Sequence, residues 1–173
     1  TDHAGAWGKV KGAIAGAAAA MGVNMIIGLA DSMTATKARL DLMNDGLQTT
    51  EELQNKIMAS ANRSRASYQT TADAVSKMGI MAKDAFGSND ELVQFSELIN
   101  KQFTIAGTSA GGIDAAMLQL TQAMSSGVLR GEELNSVFEQ APTIIQTIAD
   151  YLNVPIGKIR EMAANGQITS TIV

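Results

Sequence analysis

Apolar residues recur at intervals of three and four positions along most of this chain, from residue 31 onward. In the first such stretch Met33, Thr36, Leu40 and Met43 are spaced three, four and three apart. This spacing places side chains on one face of an α-helix and does not suit a strand, whose period is two. Runs of β-branched residues are rare and there are only two prolines. We therefore predict an all-α protein.

Start and stop signals divide the stripes into separate helices. Thr49 with Glu52, and Ser88 with Glu91, have the capping-box spacing, in which each side chain accepts a hydrogen bond from the other residue's backbone N–H. Ser67 is predicted to cap the helix between them. The predicted stops are Gly46, Gly87, Gly107 and Gly127.

These signals predict a helical bundle of about seven or eight helices, with long helices before Gly127 and short helices after it. Short connections favour antiparallel neighbours. The clearest helix follows Ser88, and its predicted inward-facing residues are Leu92, Phe95, Leu98, Ile99 and Phe103.

The composition leaves little for catalysis. There is no cysteine, and the single histidine, His3, lies near the terminus, so thiolate, disulfide and imidazole chemistry have no good candidate. We predict no catalytic residue, no cofactor and no metal. The formal charge of −4 and the pI near 4.9 argue against specific nucleic-acid binding, which needs clustered Lys and Arg.

Residues 12–30 carry no charge, which distinguishes the N-terminal part of the chain from the rest. We predict an Ala/Gly-rich helical arm over residues 1–30 and a helical domain over residues 31–173. A soluble helix, a membrane-active segment and a signal peptide all remain open for residues 12–30. Small side chains let helices approach closely, and the residues predicted to line a self-association seam are Ala15, Gly16, Ala19 and Ala20.

The stretch from residue 127 to residue 173 combines dense helix punctuation with few reactive side chains. Pro142 and Pro155 are predicted at first helical positions, where a missing N–H costs nothing. Glu132 and Glu133 are predicted in a first helical turn, where the helix dipole favours negative charge. The structural motif residues are Gly127, Arg130, Gly131, Glu132, Glu133, Gln140, Ala141, Pro142, Pro155, Gly157 and Gly166.

Charged residues raise two functional possibilities, a hydrolase carboxylate pair and an arginine-lined anion site, and neither is favoured. Adjacent residues on a helix point about 100° apart, so Glu132 and Glu133 cannot flank one bond as a hydrolase pair would. Arg63, Arg65 and Arg130 are predicted to form solvated ion pairs with carboxylates nearby in sequence instead of an anion site.

The segment Thr147–Ile168 resembles a helix-turn-helix and supports an alternative function as a DNA-binding regulator. In such a motif, polar residues at the start of the second helix reach base edges. Here those positions are Pro155, Ile156 and Gly157, which offer no side-chain donors, so a packing turn is the better interpretation.

The motif residues, in their order and spacing, resemble the N-terminal helical domain of bacteriophage tail tape measure proteins. Weaker matches extend the resemblance upstream to about Ala30, through Arg39–Leu42, Glu51–Gln54, Ala61–Arg65 with Tyr68, and Ser126–Gly127. The sequence departs from the family at Asn153, where glycine is common. Asparagine tolerates the left-handed backbone that a helix cap there requires.

The resemblance implies a structural virion protein of a long-tailed phage or prophage tail. It implies roles in tail assembly, tail length determination and genome ejection. The implied partners are tail tube subunits, tail assembly chaperones and tail-tip proteins, together with self-association as a homo-oligomer and membrane contact during ejection. The implied location is inside the tail tube, and in the host cytoplasm during assembly.

The chain ends suggest a piece of a longer polypeptide. It begins at Thr1 instead of Met, and Ile168–Thr169 is predicted to begin another helix shortly before Val173. By resemblance, we expect the length-setting part to lie mostly in following sequence.

Overall fold

Eight α-helices make up most of the computed structural model, which describes residues 30–173. The helix over residues 30–43 is called α1 here. The others are α2 Thr50–Ser64, α3 Tyr68–Met81, α4 Asn89–Ala106, α5 Ala110–Ser126, α6 Gly131–Gln140, α7 Pro142–Leu152 and α8 Ile156–Ala164. Within this range the only β-type pairing is one isolated bridge. The all-α prediction is confirmed, as is the change from long to short helices at Gly127.

The chain divides into two compact units, Thr1–Lys37 and Ala38–Val173. Of the first unit the structure describes residues 30–37, which are helical. The predicted arm residues Ala15, Gly16, Ala19 and Ala20 lie outside the described residues, so self-association through them stays a prediction. The proposed boundary at residue 30 stays a prediction as well.

Ion pairs reveal the direction of neighbouring helices in the second unit. Lys56 of α2 pairs with Asp90 of α4, and Arg63 of α2 pairs with Glu97 of α4, both at the same sequence separation of 34 residues. A constant separation means that α2 and α4 run parallel. The intervening α3, which packs against both, therefore runs antiparallel to them, as the short connections predict.

One hydrophobic core runs through the second unit. Its largest fully buried side chains come from α1 to α8 and from the segment after α8, and they are Phe103, Leu40, Leu53, Ile57, Met78, Leu92, Leu120, Leu129, Leu134, Ile145, Ile159 and Ile168. Burying a side chain of this size contributes about 1.5–3 kcal/mol. The short helices α6 to α8 therefore share the core of the long ones.

Local capping follows the sequence signals closely. Thr49 accepts a hydrogen bond from the Glu52 N–H while Glu52 accepts one from the Thr49 N–H, which completes the predicted box. At α4 only half of the box forms. Ser88 accepts from the Glu91 N–H, whereas the Glu91 carboxylate accepts from Gly87.

The prediction that α3 runs to Gly87 is wrong. The helix ends at Met81 and is followed by a 3-10 turn over Lys83–Ala85. Phe86 is extended, with φ −124° and ψ 139°, and its ring lies 5.3 Å from that of Phe95. The aromatic contact between α4 and this connection thus takes the place of one more helical turn.

A carboxylate shared by two cations joins α2 to α4. Glu97, whose side chain is only 9% exposed, accepts two hydrogen bonds from Arg63 Nε and one of 2.7 Å from Arg63 Nη2. Lys101 Nζ donates to the same carboxylate at 2.7 Å. Arg63 is thus in an ion pair, as predicted, but its partner comes from α4 and not from a carboxylate nearby in sequence.

Acid is expected to weaken the fold through Glu97. Hydrogen bonds from Arg63, supported by Lys101 and opposed by burial, lower the pKa of Glu97 from 4.5 to about 2. A lowered pKa in the folded state stabilises it above the unfolded-state pKa, and this contribution is lost as the pH falls toward about 2. We expect a loss of roughly 1–3 kcal/mol, since the exposed cations are screened by solvent.

The measurement is urea unfolding of the wild type and of Glu97→Gln at several pH values. The variant keeps the shape of the side chain but cannot titrate, so its free energy of unfolding should depend less on pH in this window. Identical pH dependence of the two proteins would show that Glu97 does not carry the effect.

Candidate functional site: the structural motif between Gly127 and Gly166

The first motif residues form the joint between the long and the short helices. Gly127 ends α5 in the left-handed conformation, with φ 81°. Its carbonyl accepts a hydrogen bond of 2.9 Å from the Ser170 N–H, and the Leu129 N–H donates to the Ile168 carbonyl at 2.7 Å. Val128 and Thr169 therefore form an antiparallel bridge. The two ends of the motif region are tied together.

This bridge corrects the prediction for Ile168–Thr169, which do not begin a helix. The Gly127 carbonyl and the Leu129 N–H lack helical partners, and the segment after α8 supplies them. Leu129 and Ile168 are at most 1% exposed. Pairing with residues 127–129 takes the place of the predicted helix, and such long-range pairing is not encoded in the local sequence.

The Arg130–Glu133 element starts α6 as predicted. Gly131 is the first helical residue, and both Glu132 and Glu133 lie in the first turn. Arg130 is the N-cap but makes no side-chain cap hydrogen bond. The Oε2 atom of Glu133 is shielded from solvent and has no hydrogen-bond partner among the described residues. The positive end of the α6 dipole is the favourable interaction open to it.

The Gln140–Pro142 element turns the chain from α6 into α7 without a loop. Ala141 is fully buried, ends α6 and precedes α7, and its N–H donates to the Val137 carbonyl at 2.8 Å. Pro142 is the first residue of α7, as predicted, where its missing N–H leaves no acceptor unpaired. Its ring also keeps Ala141 out of the helical region, since φ is −151° and ψ is 80°.

Gln140 connects this corner to the start of α5. Its backbone carbonyl accepts a hydrogen bond from the Thr108 hydroxyl, and its side chain lies directly against Gly112. A Cβ atom at Gly112 would overlap the Gln140 amide oxygen and lie 2.9 Å from its Cδ. The sequence interpretation missed Thr108 and Gly112. Gly111 and Gly112, which follow the cap residue Ser109, were the sequence signal that could have indicated a close approach here.

Gly112 is expected to tolerate alanine worse than its neighbour Gly111 does. Gly→Ala within a helix normally gains about 1 kcal/mol, and nothing lies within 4 Å of a Cβ at Gly111. At Gly112 that gain is offset because Gln140 must move. We expect Gly111→Ala to be more stable than Gly112→Ala by about 1 kcal/mol in chemical unfolding.

The control is the same pair of substitutions in a Gln140→Ala background. Removing the amide should reduce the difference between the two alanine variants, and Thr108 Cγ2, 3.0 Å from the same Cβ, accounts for what remains. A difference that persists undiminished without Gln140 would assign the effect to something other than this contact.

The α7–α8 turn contains Asn153, Pro155 and Gly157. Asn153 ends α7 with φ 54° and ψ 46°, so it takes the left-handed conformation expected of it. The prediction for Pro155 is displaced by one residue: it is the N-cap of α8 with ψ 144°, and Ile156 is the first helical residue. Helix ends vary by about this much. A Cβ at Gly157 would meet nothing within 4 Å.

Gly166 completes the motif with a φ of 69°. The Gln167 N–H donates to the Met162 carbonyl and the Gly166 N–H to the Ala163 carbonyl, which is the Schellman pattern at a helix end. The motif residues thus lie at successive chain corners around α6, α7 and α8. They do not converge on one cleft.

The helix-turn-helix alternative receives no support from the charged residues of α8. Lys158 pairs with Glu161 at 2.7 Å, and the Arg160 guanidinium lies 5.2 Å from the centre of the Phe138 ring. These cations already have partners within the protein. Within residues 30–173, no helix has the length and apolar character needed to cross a membrane.

A family model described as "Tape measure protein" matches residues 24–173. No curated protein matches, and no solved structure matches.

Proposed function

Since this chain belongs to the tape measure protein family, we propose that it acts in phage tail assembly and in setting the length of the tail. Family membership gives the chain a structural role in the phage tail and a location there. The match over residues 24–173 is the observation that carries the proposal. The match includes the long helices as well as the motif corners.

The described residues support a scaffold role by how their polar groups are used. Ion pairs such as Arg63–Glu97 and Lys56–Asp90 join helices to each other. The motif residues terminate helices and turn the chain. Glu132 is exposed while Glu133 is partly buried, so this adjacent pair does not face a common space. The proposal therefore assigns no catalytic role to this part of the protein.

The finer parts of the proposal concern partners and timing. The protein would self-associate, lie within the tail tube, and contact tube subunits, tail assembly chaperones and tail-tip proteins. It would be in the host cytoplasm during assembly, and would leave with the genome and meet a membrane at ejection. Residues 12–30 are the candidates for that membrane contact.

An early stop codon in the gene tests the assignment. Electron microscopy of lysates should then show no tails of normal length, and mass spectrometry of purified wild-type tails should detect this protein. Complementation with the intact gene should restore tails of normal length that contain the protein. Tails of unchanged length in the absence of the protein would refute a role in tail length.

A further inference from the structure

Two leucines are presented to solvent at one end of the long helices. Leu42, in the last turn of α1, is 73% exposed, and Leu47, in the loop between α1 and α2, is 78% exposed. Single exposed leucines are ordinary on protein surfaces. Their setting is what distinguishes these two.

The loop that carries Leu47 is held in place by hydrogen bonds to the start of α4. The Asp45 N–H donates to Asn89 Oδ1 at 2.8 Å, and the Asn89 N–H donates to Asp45 Oδ2 at 2.8 Å. Asp45 Oδ1 also accepts from the Leu47 N–H at 3.0 Å. Because the backbone is already fixed, a partner that covers Leu47 does not have to order the loop.

A cavity of about 340 Å³ opens at the same end, beside this loop. Met43, Phe86 and Leu92 contribute apolar surface to it, while Asp45, Asp84 and Lys83 supply charges. A Cβ at Gly79, another lining residue, would lie 2.6 Å from Met43 Cε and 3.1 Å from Leu92 Cδ2. The cavity combines an apolar wall with carboxylates.

The charge around this end is mainly negative. The carboxylates on its helix ends and connections are Asp41, Asp45, Glu51, Glu52, Asp84, Asp90 and Glu91. The cations beside them are Lys83 and Lys56, and Lys56 is paired with Asp90 at 2.6 Å. First helical turns favour carboxylates in any protein, so the charge alone identifies no partner. Together with the exposed leucines and the cavity, it favours a cationic one.

We propose that this end of the bundle, formed by the α1–α2 loop, the α3–α4 connection and the first turn of α4, binds a protein segment with an apolar anchor flanked by Lys or Arg. The anchor would contact Leu42 and Leu47, and the flanking cations would meet the carboxylates at this end, including Asp45 and Asp84 of the neighbouring cavity. This deepens the proposed function and rests on it for the setting in which the partner is met.

The test begins with a library of short random peptides displayed for selection on the intact 173-residue chain. We expect selected peptides to be enriched in Lys or Arg around a Leu, Ile, Met or Phe. Binding of one selected peptide is then measured by fluorescence anisotropy. The double variant Leu42→Ser with Leu47→Ser should weaken it by at least about tenfold, and added salt should weaken it further.

Ile105→Ser is the matched control, because Ile105 is 72% exposed at the opposite end of α4. It should leave peptide affinity unchanged, and circular dichroism should show that all variants stay folded. No enrichment, enrichment of acidic or uncharged peptides, unchanged affinity in the double leucine variant, or an equal loss with Ile105→Ser would each overturn the proposal. Peptide binding is read without tails, so its failure is distinct from failure of the proposed role in assembly.

Discussion

Deletion of residues 131–164 is expected to abolish tail formation instead of giving proportionally shorter tails. The deletion removes α6, α7 and α8, and with them the fully buried Leu134, Ile145 and Ile159. Helix α6 packs against α5 and helix α7 against α4, so their loss would expose core residues of the part that remains. A packed domain cannot be shortened in this way and stay folded, whereas an extended length-setting segment could be.

The deletion changes both the fold and the number of residues, and a second variant separates these effects. Ile145→Ala with Ile159→Ala keeps the chain length, and each substitution is expected to cost about 2–5 kcal/mol. If stability of the bundle is what assembly needs, this variant should also form few tails. Electron microscopy of lysates, with immunoblots for protein level, gives both results.

Tails that shorten in proportion to the deletion would contradict this view of residues 131–164. Normal tails from the double alanine variant, at normal protein level, would show that assembly does not depend on the packing of α7 and α8. A surface substitution such as Ile105→Ser supplies the comparison, since it alters no buried residue.

Much of the helical pattern could be predicted because it depends on residues close in sequence. Caps at Thr49 and Ser67, and left-handed ends at Gly107 and Asn153, are each determined within one helical turn. The predicted inward-facing residues Leu92, Ile99 and Phe103 followed from the helical period alone and are buried. Local propensity and tertiary packing agree at these positions.

The predictions fail where contacts between residues distant in sequence determine burial or an interaction partner. Leu98 has the spacing of a core residue but is 54% exposed, in the charged groove between α2 and α4. Periodicity gives the direction of a helix face but not which part of it a neighbour covers. Arg63 forms an ion pair with Glu97 of the neighbouring helix α4, and the Leu129 N–H donates a hydrogen bond to the Ile168 carbonyl. Both pairs depend on topology that no local signal contains.

The motif residues illustrate the same limit. Gln140 was singled out from the sequence, yet its contact with Gly112 and Thr108 of another segment became visible only in three dimensions. The exposure of Leu42 and Leu47 could not be predicted from the sequence, because an exposed apolar residue is recognised only when burial is known.

Phe103→Ala is expected to destabilise the fold strongly, with a loss of about 3–5 kcal/mol in the free energy of unfolding. Phe103 is fully buried on α4, which packs against α2, α3 and α7. Replacing the ring with a methyl group removes its burial and leaves a cavity where several helices meet. The backbone hydrogen bond from Thr108 to the Phe103 carbonyl, which closes α4, is retained in the variant.

Ile105→Ala is the control for this substitution, since Ile105 lies two residues further along the same helix and is 72% exposed. Its effect should stay within about 0.5 kcal/mol. Urea unfolding followed by circular dichroism measures both variants. If they lost the same stability, Phe103 would not lie in a packed core, and the shared core that connects the short helices to the long ones would have to be abandoned. A loss confined to Phe103→Ala would support a core shared by the long and short helices, because α4 packs against both α2 and α7.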